Sequence, residues 1–190
     1  MPRERVRPGA TDPFRPMKYY LRLLLLVLTQ RWRPRCALTD TCVSAFRVWP
    51  NDLDVFMHMN NGVYLTVADL GRTDLMLRSG AFGPIRARGW YPVVAGETIR
   101  FRRSLGPFRR YTIATRLVGW TERSIYLEQR FESRGALVAR ALIDARFLGP
   151  RGARVTPAQI LEVVALDPVS PPLPAWVEAW AGSMREMEAD

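Results

Sequence analysis

Apolar and small residues recur with the period of an α-helix in the stretch that follows Asn60-Asn61. Five of them form one stripe at positions i, i+3, i+4, i+7 and i+11: Tyr64, Val67, Ala68, Gly71 and Leu75. Asn60 or Asn61 can cap the free amides of the first turn, and Gly80 is a stop signal. The pattern predicts one long helix that begins at Asn60-Asn61 and ends before Gly80.

Five other segments alternate apolar and polar residues with the period of a β-strand. They are Thr41–Trp49, Trp90–Arg103, Arg110–Trp120, Ser124–Glu132 and Ala136–Leu148. Short connections with turn-forming residues, such as Ser133-Arg134-Gly135, join the last four segments and predict antiparallel pairing. Gly80–Arg88 is rich in Gly, Pro and Arg and is predicted to be a loop. The order is therefore one strand, one long helix and four antiparallel strands.

The N-terminal part lies outside this pattern. Met1–Pro16 is rich in Arg and Pro and is expected to be disordered. Tyr19–Leu28 is an apolar run with basic flanks, and its length falls short of the ~20 residues that span a bilayer. Two interpretations stay open for this run. It is a short helix packed on the domain or on a partner subunit, or it is an anchor that lies on a membrane surface.

The C-terminal part is predicted to contain two helices joined by a linker. Thr156–Val164 is the first helix, with Pro157 near its start. Ala165–Pro174 is the Pro-rich linker, and Ala175–Ala189 is the second helix. We therefore divide the chain into an N-terminal extension (1–36), a central domain (37–164) and the linker with its helix (165–190).

Length and charge set limits on the class of protein. The 190 residues predict one domain, and an apolar content of 48% is enough for a core. The formal charge is +10, and Lys18 is the only lysine, so arginine carries almost all of the basic charge. Arginine suits phosphate or carboxylate partners such as coenzyme A, nucleic acid or an anionic membrane, although a solvated basic surface explains the charge equally well. A nucleic-acid partner is not expected, because the sequence lacks an aromatic and basic platform.

The sequence contains few residues of the kinds that bind metals or cofactors. Cys36 and Cys42 are separated by five residues, so free thiols in a reducing, cytoplasmic compartment are expected. With one histidine in the chain we expect no metal site. The sequence has no GxSxG, GxGxxG or P-loop motif, and no cofactor is expected.

The candidate chemistry lies just before the long helix. Asp52, Asp54 and His58 precede its start at Asn60-Asn61. Backbone N–H groups point out of a helix N-terminus and can bind a developing oxyanion. A carboxylate beside them can attack an electrophilic carbon or deprotonate a water.

Asn51–Ser79 resembles the loop and helix of hotdog-fold acyl-thioesterases of the 4-hydroxybenzoyl-CoA thioesterase kind, whose signature runs roughly D-x-D-x-x-G-H-V-N-N-x-x-Y. The matching residues are Asp52, Asp54, His58, Asn60, Asn61 and Tyr64. Met57 stands where this family often has glycine. Plant acyl-carrier-protein thioesterases have a similar loop. The resemblance covers about Ala37–Val164 and implies an α+β hotdog fold: a curved antiparallel sheet of about five strands around one long central helix, with extra N- and C-terminal helices.

The resemblance implies hydrolysis of an acyl-CoA or acyl-carrier-protein thioester. Asp54 corresponds to the family's nucleophile or general base, the Asn61 backbone N–H would bind the oxyanion, and His58 would support the loop or the carbonyl. Substrate contacts are expected from Asn60, Tyr64, Arg102 and Arg103. The last two belong to a basic cluster that could meet the coenzyme A phosphates: Arg100, Arg102, Arg103, Arg109 and Arg110. Family members are homodimers or dimers of dimers with the site at the subunit interface.

Other interpretations of these residues stay open. Asp52 is more often a structural turn acid. Some hotdog thioesterases carry the acid on the central helix, where Asp69 and Asp74 are candidates, although both also fit a solvated face and Asp69 can pair with Arg72. A hydratase of the same fold would need D-x-N-P-x-H, which the loop lacks. The alternative of a different class is a non-catalytic acyl-binding or membrane-associated hotdog protein.

Overall fold

The computed structural model describes residues 15–189, with side chains for 19–188. The prediction of disorder for Met1–Pro16 therefore lies outside the described residues at positions 1–14, and positions 15 and 16 belong to the first helix. The helices are α1 (Arg15–Thr29), α2 (Asn61–Arg78), α3 (Phe82–Ala87), α4 (Pro157–Val163) and α5 (Ala175–Ala189). The strands are β1 (Cys42–Arg47), β2 (Tyr91–Phe101), β3 (Arg110–Trp120), β4 (Ile125–Ser133), β5 (Ala136–Leu148) and β6 (Arg154–Val155).

All strand pairs are antiparallel, in the order β1-β3-β4-β5-β2, with the short β6 added beside β5. The curled sheet covers α2, and α5 packs on the opposite face of the sheet through Val177 and Ala181. This is the predicted α+β hotdog fold. The five predicted strands and the long helix are confirmed, and the bounds of β3 and β5 agree with the prediction.

The loop predicted for Gly80–Arg88 is wrong, because 82–87 form the short helix α3. Ile85 is buried in a cluster with Ala81, Phe147 and Ile160. Pro84 is tolerated because the N–H groups of the first helical turn have no partner within the helix. Tertiary burial of Ile85 therefore outweighs the loop preference of the Gly and Pro residues.

The sheet approaches α2 most closely at Gly71. A Cβ atom at this position would lie 2.8 Å from Gln129 Nε2 and 3.0 Å from Thr115 Oγ1. The buried Gln129 amide donates hydrogen bonds of 2.9 Å to the Ala68 carbonyl and to the Thr115 hydroxyl, which binds the sheet to the helix. Glycine at position 71 is thus required by close packing.

Helix α1 packs on the domain with one of its faces. Tyr19, Leu23 and Leu26 contact the core around α2, and Arg22 donates a hydrogen bond of 2.5 Å to Asp52. The packed-helix interpretation is therefore confirmed for this face. Within the described residues, no helix is long and apolar enough to cross a membrane.

Candidate active site

The loop between Leu53 and Asn60 is a tight turn organised by the Asp54 side chain. Asp54 Oδ1 accepts hydrogen bonds from the backbone N–H groups of Phe56 (2.9 Å) and His58 (3.2 Å). The Asp54 N–H donates to the His58 carbonyl at 2.8 Å, and Leu53 pairs with Met59 across the loop. No hydrogen bond reaches Oδ2 from the residues that the structure describes. One carboxylate oxygen is therefore fixed by the loop, and the other is available to a ligand.

Asp52 has a structural role. It is 1% exposed, and its Oδ2 accepts hydrogen bonds from Arg22 and from the Trp49 N–H, at 2.5 and 2.9 Å. Its carbonyl accepts the Asn60 N–H at 2.8 Å. Asp52 therefore holds α1 and the start of α2 to the same turn, as expected for a structural turn acid.

The backbone conformation at Met57 is one that favours glycine, the residue often found here in the family that the loop resembles. Its φ is 60°, in the left-handed region that L side chains adopt at a cost of ~1–2 kcal/mol. The side chain is exposed at the loop tip with Val55 and Phe56. The loop keeps its conformation with methionine, but at an energetic cost.

Replacing Met57 by glycine is expected to stabilise the protein by up to ~1 kcal/mol, because glycine adopts this φ without strain. Thermal unfolding should show a rise in Tm of about 2–4 °C. Phe56→Gly is the matched control, since Phe56 is also exposed but has no positive φ. Equal losses of Tm in the two variants would show that Met57 is not strained.

The N-terminus of α2 leaves one backbone donor free. Asn60 is the N-cap, and its side-chain oxygen accepts the Gly62 N–H at 2.8 Å, while its carbonyl accepts the Val63 N–H at 2.9 Å. The Asn61 N–H has no acceptor among residues 15–189. The predicted capping role of Asn60 is confirmed, and Asn61 has the free N–H that an oxyanion donor needs.

A cleft of about 500 Å³ lies at this helix end. It contains six of the seven predicted site residues: Asp54, His58, Asn61, Tyr64, Arg102 and Arg103. The seventh, Asn60, lines a neighbouring cavity next to Asp52 and Arg22. His58 is exposed at the cleft, and Phe56, Met59 and Phe101 form apolar parts of the wall.

Tyr64 is a wall residue with a buried hydroxyl. It is 2% exposed, and its ring makes edge contacts with Phe101 and Phe131, with centroids 5.0 and 5.3 Å apart. Burial raises the pKa of Tyr64 to about 12, against a smaller opposite effect of a hydrogen bond with the Leu105 backbone. The phenol therefore stays protonated at physiological pH and shapes the cleft.

The predicted basic cluster is divided between two places. Arg102 and Arg103 line the cleft, and both are exposed without an ion pair among the described residues. Arg110 instead lines a groove between α1 and β1. Only the first two are therefore positioned to meet an anionic ligand in the cleft.

The two acids of α2 differ from each other. Asp69 is half-exposed and forms an ion pair with Arg72, as predicted. The prediction of a solvated face is wrong for Asp74, which is fully buried. Asp74 accepts hydrogen bonds from Ser44 Oγ (2.6 Å), Arg33 Nη1 (2.7 Å) and Arg78 Nη1 (3.3 Å). This carboxylate joins α2 to β1 and to the segment after α1, and it has no access to substrate.

Sequence reasoning missed a second, apolar cavity of about 150 Å³ between α2, α3, α4 and the sheet. Aliphatic and aromatic side chains dominate its wall, including Met76, Ile85, Leu117 and Phe147, and Asp69 and Arg72 are among its few polar residues. Its walls come from seven helices and strands, so no local signal could have revealed it. Among residues 15–189, no three His, Cys, Asp or Glu side chains are grouped to hold a metal ion.

The sequence matches the model of the thioesterase-like superfamily over residues 48–181. It is 42% identical to Protein THEM6 of Xenopus laevis over 115 residues. The alignment covers 60% of this chain and 55% of the frog protein. It is 36% identical over 149 residues to Protein THEM6 of Danio rerio, covering 76% and 72%. The match thus spans about half the length of the frog relative.

Solved structures give the same picture of the fold. The probable thioesterase YbaW of Escherichia coli is 25% identical, with a TM-score of 0.61, over 65% of this chain and 96% of that protein. The gentisyl-coenzyme A thioesterase BH1999 is 17% identical, with a TM-score of 0.58, over 63% and 98%. The second likeness shows a shared fold only.

Proposed function

We propose that this chain, which belongs to the thioesterase-like superfamily, hydrolyses an acyl-CoA or acyl-carrier-protein thioester to the free acid and the thiol. Membership of the family supports thioester hydrolysis as the general reaction. One observation supports the assignment to the cleft: Asp54, whose Oδ2 accepts no hydrogen bond from the described residues, and Asn61, whose N–H has no acceptor among them, line the same cleft at the N-terminus of α2.

The proposed reaction uses both groups at once. The thioester carbonyl oxygen accepts the Asn61 N–H, where the positive end of the helix dipole favours the developing negative charge. Asp54 Oδ2 attacks the carbonyl carbon, or takes a proton from a water that attacks it. The C–S bond then breaks and the thiolate leaves, which does not need a strong general acid. If Asp54 attacks directly, water hydrolyses the resulting anhydride and restores the carboxylate.

The remaining cleft residues support this role. His58, exposed at the rim, is proposed to hold the loop or the bound carbonyl group. Arg102 and Arg103 carry guanidinium groups that form no ion pair with any described residue, and these groups suit the phosphates of coenzyme A. Tyr64 and Phe101 form the apolar wall against which the start of the acyl group would lie.

A second subunit is proposed to complete the site. Strand β2 is an edge of the sheet, and most of its eleven residues are exposed, among them Tyr91, Val94 and Phe101. If two copies of β2 pair in antiparallel fashion, the C-terminal end of β2 in one subunit, at Phe101 next to the cleft, lies beside the N-terminal end of β2 in the partner subunit. Val93 and Val94 near that start line the apolar cavity of 150 Å³. A cavity of that size accepts a benzene-sized group, so the partner's cavity is proposed to receive the acyl end.

A homodimer or a dimer of dimers is therefore expected in solution, because pairing removes the exposed edge. Light scattering at micromolar concentration should give about twice or four times the 21.7 kDa of one chain. A mass of one chain under these conditions would contradict the shared site.

The function is tested with a panel of short, medium, long and aromatic acyl-CoA thioesters and detection of the free thiol. At least one substrate should be hydrolysed with a kcat/KM of ~10⁴ M⁻¹s⁻¹ or more. If no thiol is released from any substrate while acyl-CoA still binds, the protein is the non-catalytic acyl-binding alternative.

A further inference from the structure

The outward face of α1 is apolar although it has no cover from the described residues. Its side chains, 39–62% exposed, are Tyr20, Leu21, Leu24, Leu25, Val27 and Leu28. The opposite face is also apolar and packs on the core, and Arg22, the one charged residue of α1 among the side chains described from Tyr19 onward, is neutralised by Asp52. An ordinary surface helix has a polar outward face. The outward face of α1 therefore requires an apolar environment outside this fold.

Cations surround this face. Arg31 and Arg35 follow the helix as exposed residues, and neither has an ion pair in the part of the chain that the structure describes. The Arg31 guanidinium lies 3.9 Å from the ring centroid of Trp32, which is 69% exposed. The groove beside the helix adds Arg110 and Arg134. Tryptophan and arginine next to an apolar face are typical of helices at an anionic lipid interface.

We propose that the outward face of α1 docks on an anionic lipid bilayer. The 15 residues of α1 give a helix about 22 Å long, which suits a position in the plane of the interface because a span needs about 30 Å. A second copy of α1 fits less well, because two basic ends would approach each other. The 1–14 segment is rich in Arg and Pro, with Met1, Val6 and Phe14 as its large apolar residues, too few for six exposed side chains.

Docking would also orient the cleft. Arg22 of α1 binds Asp52, and the Asp52 carbonyl accepts the Asn60 N–H at the start of α2. The buried residue Asp52 therefore joins α1, which would bind the bilayer, to the loop that carries Asp54. This inference does not depend on the proposed hydrolysis, because vesicle binding is measured without substrate.

The test is co-sedimentation of the full chain with vesicles of phosphatidylcholine containing 30% phosphatidylglycerol, and with vesicles of phosphatidylcholine alone. The wild type should bind the anionic vesicles, and less strongly at 0.5 M salt because the charges are screened. The double variant Leu24→Gln/Leu28→Gln removes two exposed apolar groups and should bind at least ~10-fold more weakly. Val169→Gln, also at an exposed apolar residue but in the linker, is the matched control and should bind like the wild type.

A second readout needs no change to α1. Brominated lipids should quench wild-type tryptophan fluorescence, and Trp32→Phe should lose most of that quenching. Failure of the wild type to bind anionic vesicles, or equal binding by the wild type and the double variant, would overturn the proposal. A third result would also overturn it: the wild type does not bind vesicles, and the double variant forms a smaller oligomer than the wild type. A second copy of the chain would then cover the outward face of α1.

Discussion

Replacing Asn61 by proline is expected to lower kcat by ~10²–10³, the usual loss when one oxyanion donor is removed. Proline has no N–H, and Asn61 is the first residue of α2, a position where proline is well tolerated. The residue before it is already compatible, since Asn60 has φ −59° and ψ 138°, in the range preferred before proline. The substitution therefore removes the backbone N–H, together with the asparagine side chain, and leaves the helix in place.

Asn61→Ala is the control, because alanine keeps the backbone N–H and the exposed side chain makes no hydrogen bond with the described residues. We expect near wild-type kcat for this variant and a similar circular dichroism spectrum for both. If Asn61→Pro is folded and as active as Asn61→Ala, the helix N-terminus does not bind the oxyanion.

The sequence was sufficient where the signals are local. The helical stripe and the asparagine cap predicted α2, and strict alternation between short turns predicted β3 and β5. The loop signature predicts Asp54, His58, Asn61 and Tyr64, and the basic cluster predicts Arg102 and Arg103; all six line one cleft. Even Met57, noted only as a departure from a glycine, corresponds to a positive φ.

The failures of sequence reasoning depend on contacts between distant segments. The helical period places Asp74 on a solvated face, but its partners Arg33 and Ser44 come from 41 and 30 residues away in the chain. Helix α3 is fixed by burial of Ile85 against Ile160 and other distant residues. The basic cluster was read as one group, and the course of the chain after Arg103 places Arg110 in another groove.

The hydrogen bonds of Asp54 also could not be predicted from the sequence. Aspartate side chains often accept backbone N–H groups two residues further on in an Asx turn, and the bonds from Phe56 and His58 to Oδ1 give Asp54 this structural role. Only the structure shows that this role uses one oxygen and leaves the second without a hydrogen bond from the described residues, on a residue that lines the cleft. The structural and the catalytic interpretations are therefore compatible.

Asp54→Asn separates these two interpretations. The amide oxygen can still accept the two backbone N–H groups, so the loop should persist, with a loss of no more than ~1 kcal/mol in the free energy of unfolding. The group that attacks, or that deprotonates water, is gone. We expect kcat to fall by ~10² or more, since one general base contributes 10²–10⁴. KM should change little, because other residues, the two arginines and the apolar wall of the cleft, are proposed to bind the substrate.

The most direct measurement is kcat for Asp54→Asn and Asp69→Asn, side by side, with the preferred acyl-CoA and free-thiol detection. Asp69 is the matched control because it is a half-exposed acid paired with Arg72, and it borders the apolar cavity while the proposed reaction takes place in the cleft of Asp54. Our account predicts a loss of ~10² or more for Asp54→Asn and a kcat near that of the wild type for Asp69→Asn. A folded Asp54→Asn that keeps its kcat, together with an inactive Asp69→Asn, would place the catalytic acid on α2 and contradict the account.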